Sequence, residues 1–420
     1  MEAGGKDIKP LHSLILDLPP SCIEFCPAHP DYIVVGTYNL QKEAPAEQVQ
    51  VDVEDIVKPQ SRDGSLVVFR LEKHASEIHH VHTVSYQSAL LDLHFHPAPD
   101  KNDVLATVSS TGTLSFFRLA CTDAGIASLV HVGTHRPLGD EESVLLLSCA
   151  WHPSLHNLLA ITTSDYHVHV LKIDDSWGAH QTTSTPVITH TLEAWTVVFS
   201  PFSVDPPAET NDDTISTVSK GFTIFSGGDD SQLLSATCYS EADRSDDEDE
   251  IQVQEAMFPA KGHGAGVTAI LPLPLTLANG SSIVITGSYD DCLRVYSFPA
   301  LLGGIMPSPP KRLAESNLGG GVWRLKIVSL NRPREDVDNV SPDSWTVVVL
   351  ASCMHAGSRI VEIAGDGNGE CQIKVLARFE EHKSMNYGSD LQPGSGSGSQ
   401  PLRVVSTSFY DKLMCLWEFN

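Results

Sequence analysis

The sequence contains no apolar run near the ~18–20 residues that a membrane-spanning helix needs. Residues 1–10 lack the apolar core of a secretory signal. The nine cysteines are scattered, and none of them has the spacing of a zinc site or of a Cys-x-x-Cys redox pair. We therefore expect a cytoplasmic protein with reduced thiols, no bound metal and no membrane association.

Basic residues are also scarce. The chain has 27 Lys and Arg against 53 Asp and Glu, which gives a formal net charge of −26. Because proteins hold nucleic acid mainly by neutralising its phosphates, we expect no direct nucleic-acid binding. The charge favours a basic protein partner or a cationic ligand. Part of the acidic excess lies at residues 241–250, which are predicted to form a solvated loop.

Familiar catalytic motifs are absent. The sequence has no Gly-x-Ser-x-Gly elbow, no phosphate-binding loop and no His-Glu-x-x-His pair. It also has no glycine-rich turn between a strand and a helix that would bind S-adenosylmethionine. We predict no cofactor, and these absences alone favour a protein-interaction platform.

What the sequence does contain is a sevenfold recurrence of an apolar strand, a small-residue turn and a second strand. The clearest copy is IVITGSYDDCLRVY at residues 283–296, and successive turns are 54 to 73 residues apart. Most copies follow another short apolar run, so each unit has three clear strands and a weaker fourth. Seven such units predict an all-β, seven-bladed β-propeller. The turn residues are Gly36, Ser109, Thr163, Gly227, Gly287, Cys353 and Thr407.

We predict a single domain over residues 1–420, because one blade cannot bury its own faces. The run at residues 11–18 alternates and has no partner nearby, and the last copy lacks a fourth strand. Pairing the two closes the ring and removes both sheet edges. The predicted blades cover about 22–85, 86–140, 141–190, 191–258, 259–313, 314–378, and 379–420 with 11–18.

Four polar inserts interrupt the repeat and are predicted to be loops. They lie at residues 41–62, 206–220, 331–343 and 394–399. The last reads GSGSGS, a pattern that fits either a natural loop or an engineered graft in place of a longer one.

Three segments in the last third depart from the repeat, at residues 318–324, 352–357 and 381–390. The Gly-His pair at residues 262–263 and the TGSYD turn at residues 286–290 resemble turns of the WD-repeat family, and this resemblance implies that both turns open at the same mouth of the central channel. Blades 4 to 7 are thus predicted to gather one set of side chains around that rim. The set is Trp195, Asp229, Tyr289, Trp323, His355, Ser384 and Tyr387.

Some of these positions also have a structural interpretation. His382 takes the histidine position of the repeat, as His263 does, where a histidine normally bridges strands. Asp230 and Asp290 take the turn-aspartate position and are predicted to be structural. His355 has no counterpart in the repeat, which makes it a stronger candidate for function.

The motifs resemble those of the WD-repeat family. Residues 286–290, TGSYD, match its small-Ser-x-Asp turn, and residues 262–263 match its Gly-His pair, although the Trp-Asp signature is absent. Together, FSGGDD, TGSYDD, GGGVWR, CMHAG and EHKSMNYGSD resemble the diphthine methylesterase branch, long labelled a methyltransferase. The resemblance is most specific at residues 319–324, 353–357 and 381–390.

This resemblance implies a seven-bladed WD-repeat propeller acting in diphthamide biosynthesis. Its partner would be translation elongation factor 2, in which a modified histidine ends in a methyl ester and a trimethylammonium group. The family hydrolyses that ester to the carboxylate without a cofactor. The alternative is a non-catalytic adaptor that binds elongation factor 2 or a ubiquitin-ligase scaffold, and a third hypothesis is methyl-lysine recognition. We expect a monomer.

A trimethylammonium group donates no hydrogen bond, so aromatic faces and diffuse negative charge recognise it best. Trp195, Tyr289, Trp323 and Tyr387 are the predicted faces, and Asp229 is the predicted charge.

Ester hydrolysis needs a nucleophile, a base and donors for the developing oxyanion. Two arrangements remain open. In the first, Ser384 attacks with His355 or His382 as its base. In the second, His355 activates a water, and the backbone N–H groups of Gly319, Gly320 and Gly321 are the oxyanion donors.

Overall fold

The structure is a computed structural model that describes residues 4–40, 62–122, 126–140, 143–204, 221–240, 251–299, 308–332, 344–366, 369–398 and 400–420. Within these ranges every named element is a β-strand, and the strands form seven sheets arranged as the blades of a propeller. No helix in the described chain is long and apolar enough to cross a membrane. The acidic run and most of the first three predicted inserts lie outside the described residues.

Each blade is built from consecutive antiparallel strands, starting with an innermost strand that contacts its counterparts in the neighbouring blades. The first two strands of the chain are β1 (Lys6–Ile8) and β2 (His12–Ile15). Blade 1 contains β3 (Pro20–Phe25), β4 (Tyr32–Thr37), β5 (Asn39–Leu40), β6 (Arg62–Arg70) and β7 (His79–Tyr86). Blade 2 contains β8 (Leu90–Phe95), β9 (Val104–Ser109), β10 (Leu114–Cys121) and β11 (Ala127–His135). Blade 3 contains β12 (Leu146–Trp151), β13 (Leu158–Thr163), β14 (His167–Ile173), β15 (Ala179–Gln181) and β16 (Ile188–Thr189).

The remaining blades follow the same plan. Blade 4 contains β17 (Ala194–Val204), β18 (Gly221–Gly228), β19 (Leu233–Ser240) and β20 (Ile251–Ala260). Blade 5 contains β21 (Val267–Thr276), β22 (Ser282–Ser288), β23 (Cys292–Phe298) and β24 (Lys311–Asn317). Blade 6 contains β25 (Arg324–Asn331), β26 (Trp345–Ser352), β27 (Ser358–Gly365) and β28 (Cys371–Phe379). Blade 7 contains β29 (Gly388–Leu391), β30 (Leu402–Ser408) and β31 (Leu413–Phe419).

The N-terminal strand closes the ring, as predicted. β2 pairs antiparallel with β31, with His12 opposite Leu416 and Ile15 opposite Leu413. β1 also pairs, in parallel, with β28 of blade 6, with Ile8 opposite Phe379. The sequence did not predict this second pairing. The N-terminal segment therefore joins both of the last two blades.

Apolar residues fill the spaces between neighbouring blades. Where the ring closes, Ile33 of blade 1 packs with Val405 and Met414 of blade 7, and all three are completely buried. Burial of such side chains contributes roughly 1.5–3 kcal/mol each. Each blade therefore depends on its neighbours for stability, as expected of a repeat whose unit has two apolar faces.

Three blades share a polar arrangement at the same end. A histidine at the start of the blade bonds to a hydroxyl on the second strand, and the turn aspartate accepts the backbone N–H that follows the histidine. In blade 7 the Nε1 of Trp417 also donates to this hydroxyl, at 3.0 Å. The pairs are His190–Ser226 at 2.9 Å, His263–Thr286 at 2.9 Å and His382–Ser406 at 2.7 Å, with Asp230, Asp290 and Asp411 as the aspartates.

Four histidines, two of them buried and two half-buried, make stability dependent on pH. Burial lowers the pKa of His152, His169, His263 and His382 to about 4. A histidine in the unfolded chain has a pKa of about 6.5. Between about pH 4 and pH 6.5 the unfolded state therefore binds more protons than the folded state. Their contribution is complete above about pH 6.5 and is lost toward pH 4, by up to about 1.4 kcal/mol per pH unit for each histidine.

We predict that His263→Gln reduces the difference in unfolding free energy between pH 7 and pH 5 by about 2 kcal/mol, since one depressed pKa is removed. Denaturant unfolding at the two pH values measures this difference. The exposed His79 provides the control, because His79→Gln should leave the difference unchanged. An equal pH dependence in wild type and His263→Gln would contradict the prediction.

Candidate active site

Four aromatic side chains from blades 4 to 7 pack against one another where the innermost strands begin. The ring centroids of Trp195 and Tyr289 are 6.2 Å apart, and each ring lies 5.8 Å from that of Trp323. Tyr387 lies 5.0 Å from Trp323 on the other side. All four are half-buried, so each keeps part of its surface accessible. We call Trp195, Tyr289, Trp323 and Tyr387 the aromatic cluster.

The loop before Trp323 positions this central ring. The backbone N–H of Trp323 donates to the carbonyl of Ser352 at 2.8 Å. A Cβ on Gly320 would lie 2.3 Å from the carbonyl oxygen of Cys353, and one on Gly321 would lie 2.7 Å from the Sδ of Met354. Position 320 therefore requires glycine for the loop to pack against the 353–356 turn, whereas a side chain at Gly321 would displace only the flexible end of Met354.

Asp229 adds negative charge beside the aromatic cluster. The indole Nε1 of Trp195 donates to its Oδ1 at 3.1 Å. Burial raises the pKa of Tyr289 and of Tyr387, so both phenols stay neutral at physiological pH. Attraction for a cation at this place therefore comes from the ring faces and from the Asp229 carboxylate, not from a phenolate.

The turn that carries His355 lies between the Trp323 and Tyr387 loops. Met354, at φ 40°, forms an isolated bridge with Asn386, whose N–H donates to the Met354 carbonyl at 3.0 Å. The His355 side chain is exposed and has no hydrogen-bond partner among the described residues. Its imidazole is therefore free to bind a substrate or a water.

The structure does not bring Ser384 together with a histidine. The Ser384 hydroxyl contacts Asp411 Oδ1 at 2.9 Å and Ser408 Oγ at 3.1 Å, and it accepts the N–H of Tyr410 at 2.8 Å. His382 is buried and bonds instead to Ser406. Within the described chain, the Ser–His arrangement considered from the sequence is not formed.

The backbone N–H groups of Gly319, Gly320 and Gly321 differ in whether they are hydrogen-bonded. The N–H of Gly319 is bonded to the Asn317 side chain at 2.9 Å. The N–H groups of Gly320 and Gly321 have no acceptor among the described residues. Two of the three predicted oxyanion donors are thus unpaired, and both belong to buried glycines.

Sequence reasoning missed further aromatic residues beside the cluster. Phe409 lies 5.6 Å from Tyr387, and Tyr38 of blade 1 lies 5.9 Å from Phe409. Phe409 follows the last residue of β30, the equivalent of the Tyr289 position after β22, so alignment of the repeats was a usable signal. The aromatic surface therefore continues from blade 4 to blade 1.

Sequence reasoning also missed charged pairs on the innermost strands. Arg324 Nη2 donates to Asp92 Oδ1 at 2.7 Å, which joins blade 6 to blade 2. Lys326 pairs with Asp390, and His94 Nδ1 lies 3.0 Å from Glu24 Oε2. The signal was two charged residues at spacing i, i+2 on one strand, as in Arg324 and Lys326, because such residues share a face. The six residues of these pairs line one cavity: Glu24, Asp92, His94, Arg324, Lys326 and Asp390.

The fold defines the class: the described residues form a seven-bladed β-propeller, and the repeated histidine–hydroxyl arrangement resembles that of WD repeats. The crystal structure of Saccharomyces cerevisiae Sqt1 is similar over 100% of both chains, with a TM-score of 0.50 and 10% identity, which concerns the fold alone. No family model matches the chain.

Full-length similarity confirms the family resemblance predicted from the motifs: the chain resembles the WD-repeat proteins named diphthine methyltransferase. The Schizosaccharomyces pombe protein of that name is 27% identical over 96% of this chain and 95% of its own length. The Saccharomyces cerevisiae protein is 24% identical over 97% of each. The human protein is 24% identical over 90% of this chain and 74% of its own.

We predict that Trp323→Ala weakens binding of tetramethylammonium about tenfold, because Trp323 is the central face of the cluster and such contacts contribute roughly 0.5–2 kcal/mol. Titration followed by nuclear magnetic resonance measures the dissociation constant. Trp323→Phe should retain most of the affinity. Trp177 is half-buried in another blade, so Trp177→Ala should change nothing. Equal losses for both alanine variants would contradict a specific role of the cluster.

Proposed function

We propose that this chain hydrolyses the methyl ester of diphthine methyl ester on translation elongation factor 2, giving diphthine and methanol. The names of relatives that match nearly the full chain support a role in diphthamide biosynthesis. The observation that carries the proposal is the aromatic cluster with Asp229, because ring faces beside a carboxylate suit a trimethylammonium group.

Hydrolysis fits the sequence better than methyl transfer, which is the reaction in the relatives' names. A methyltransferase would need a site for S-adenosylmethionine, and the sequence has no glycine-rich strand–helix turn of the kind that binds such cofactors. Hydrolysis requires only water, a base and donors for an oxyanion.

The activated-water arrangement is the better supported of the two mechanisms. In the proposed reaction, water adds to the ester carbonyl carbon and gives up a proton to His355, whose imidazole is exposed and uncommitted. The N–H groups of Gly320 and Gly321 stabilise the oxyanion. The bond to the methoxy oxygen then breaks, the methoxy group takes the proton from the His355 imidazolium and leaves as methanol, and the new carboxyl group releases its proton to water. Ser384 is less suitable as a nucleophile, because its hydroxyl donates a hydrogen bond to Asp411 rather than to a histidine.

The proposed partner and location follow from the substrate. Elongation factor 2 acts in translation, so we place the reaction in the cytoplasm. The net charge of −26 favours approach to a basic surface around the modified histidine. We propose that one copy of the chain suffices, since all candidate residues lie in one chain.

We predict that elongation factor 2 bearing the methyl ester loses the mass of one CH2 group when it is incubated with this protein. Methanol should appear in equal amount. Intact-protein mass spectrometry and a methanol assay measure the two products. Binding without loss of mass would overturn the proposal and leave the adaptor hypothesis.

The two mechanisms make different predictions for two side chains. We expect His355→Ala to lower kcat by about 100-fold, the usual contribution of a general base. Ser384→Ala should keep kcat within about threefold of the wild type and lower the unfolding free energy by about 1 kcal/mol, since it removes hydrogen bonds to Asp411 and Ser408. Single-turnover kinetics and denaturant unfolding measure these effects. A 100-fold loss in a folded Ser384→Ala protein, with His355→Ala active, would support the serine mechanism instead.

A further inference from the structure

A charged cavity adjoins the aromatic cluster. It has a volume of about 190 Å³ and is lined by Arg324, Lys326, His94, Tyr387 and neighbouring residues of the innermost strands. Tyr387 belongs both to this cavity and to the aromatic cluster. Trp323 immediately precedes Arg324 in the chain. A ligand of modest size can therefore contact the cluster and the cavity at the same time.

The cations of this cavity are partly exposed, and two of their acidic partners are buried. The side chains of Arg324, Lys326 and His94 are 26%, 43% and 37% exposed. Those of Asp92 and Asp390 are each 1% exposed. The positive groups thus form the accessible surface, and the two aspartates support them from behind.

The aspartates are occupied by other donors of the protein. Asp92 Oδ2 accepts the Ser148 hydroxyl at 2.7 Å, and Asp390 Oδ2 accepts the N–H of Phe25 at 2.7 Å. An ammonium has three donors and a guanidinium has five, so pairing with one carboxylate leaves donors of Lys326 and Arg324 free for a ligand.

All three cations are charged near neutral pH. Burial disfavours the His94 imidazolium, but Asp92 and Glu24 outweigh burial and raise the pKa of His94 to about 10. Burial also opposes the charge of Lys326, and Asp390 again outweighs it and raises the lysine pKa. Burial similarly opposes ionisation of Asp92, but Arg324 and His94 hold its pKa below the usual range.

We propose that Arg324 and Lys326 bind the carboxyl group of a ligand whose quaternary ammonium occupies the aromatic cluster, while His94, whose two ring nitrogens face Glu24 and Asp92, adds positive charge beside them. The ligand class is a zwitterion with a trimethylammonium and a carboxylate on one short chain. Two adjacent subsites of opposite preference, aromatic for the cation and cationic for the anion, match such a molecule.

This inference rests on the proposed function and adds the residues that recognise the reacting group. The same cations attract the ester only weakly, because its carbonyl group carries no net charge. After the methoxy group leaves, the product carries a full negative charge at this place. The product carboxylate therefore binds more tightly than the ester, and product inhibition follows.

The test uses trimethylglycine, its methyl ester and choline as probes of the wild-type protein, with calorimetric or nuclear magnetic resonance titration. Trimethylglycine should bind about tenfold more tightly than either of the others, since only it offers a carboxylate for charge-assisted hydrogen bonds. Equal affinity for trimethylglycine and choline in the wild type overturns the inference, whatever the variants do.

The paired variant Asp92→Asn with Arg324→Gln removes the Arg324 guanidinium without leaving a buried carboxylate alone, and it also removes one of the two carboxylates that favour the charge on His94. We expect it to fold and to lose most of the preference for trimethylglycine, while choline binds as before. The surface pair Asp103–Arg118, 2.9 Å apart, provides the matched control: Asp103→Asn with Arg118→Gln should keep the full preference. A folded Asp92→Asn, Arg324→Gln protein with unchanged preference assigns these charges a purely structural role and overturns the inference.

The binding test separates this inference from the proposed function. If trimethylglycine is preferred but the ester on elongation factor 2 is not hydrolysed, the hydrolase proposal fails and the carboxyl subsite stands. If the ester is hydrolysed but trimethylglycine and choline bind equally, the subsite fails and the hydrolase proposal stands.

Discussion

Ring closure is the constraint on which the rest of the structure depends. β2 pairs with β31, so the start and the end of the described chain share one blade, and no blade is left with an open apolar face there. Closure also sets which innermost strands face each other. Asp92 and Arg324 are 232 positions apart in the chain but form a hydrogen bond, because the ring brings blade 2 and blade 6 to opposite sides of a narrow channel.

Much of the fold was predictable because the seven copies of the repeat can be aligned with one another. Each strand pair has a recognisable turn, and residues such as Ser231, Asp291 and Lys412 occupy the same left-handed position after the turn aspartate. The β1–β28 pairing was not predictable, since three residues carry no periodicity and a parallel pairing across blades has no turn to mark it.

The candidate site was predictable only in part, because only some of its residues lie at positions that the repeat alignment places. Trp195, Tyr289, Trp323 and Tyr387 occupy repeat positions that meet at one end of the channel, so their proximity followed from the alignment. The partners of Ser384 did not follow, because the distance to Asp411 depends on how the β30–β31 hairpin folds back on the loop before β29.

Blades 6 and 7 differ in whether their polar side chains are used in hydrogen bonds that hold the blade together. In blade 7 the repeat uses its polar residues for hydrogen bonds that hold the blade together: His382 bonds to Ser406, and Asp411 accepts Lys383 N–H. Blade 6 has no such pair in the described residues. Its turn is closed by backbone bonds from Cys353 to Gly357 and by the bridge from Met354 to Asn386.

Because backbone groups hold this turn, the His355 side chain has no structural bond to maintain. This uncommitted histidine lies in a turn between the loops of Trp323 and Tyr387. A propeller that keeps all its repeat bonds is stable but has few uncommitted polar side chains at its rim. The departure of blade 6 from the repeat therefore leaves one exposed histidine without a structural bond at this end of the propeller.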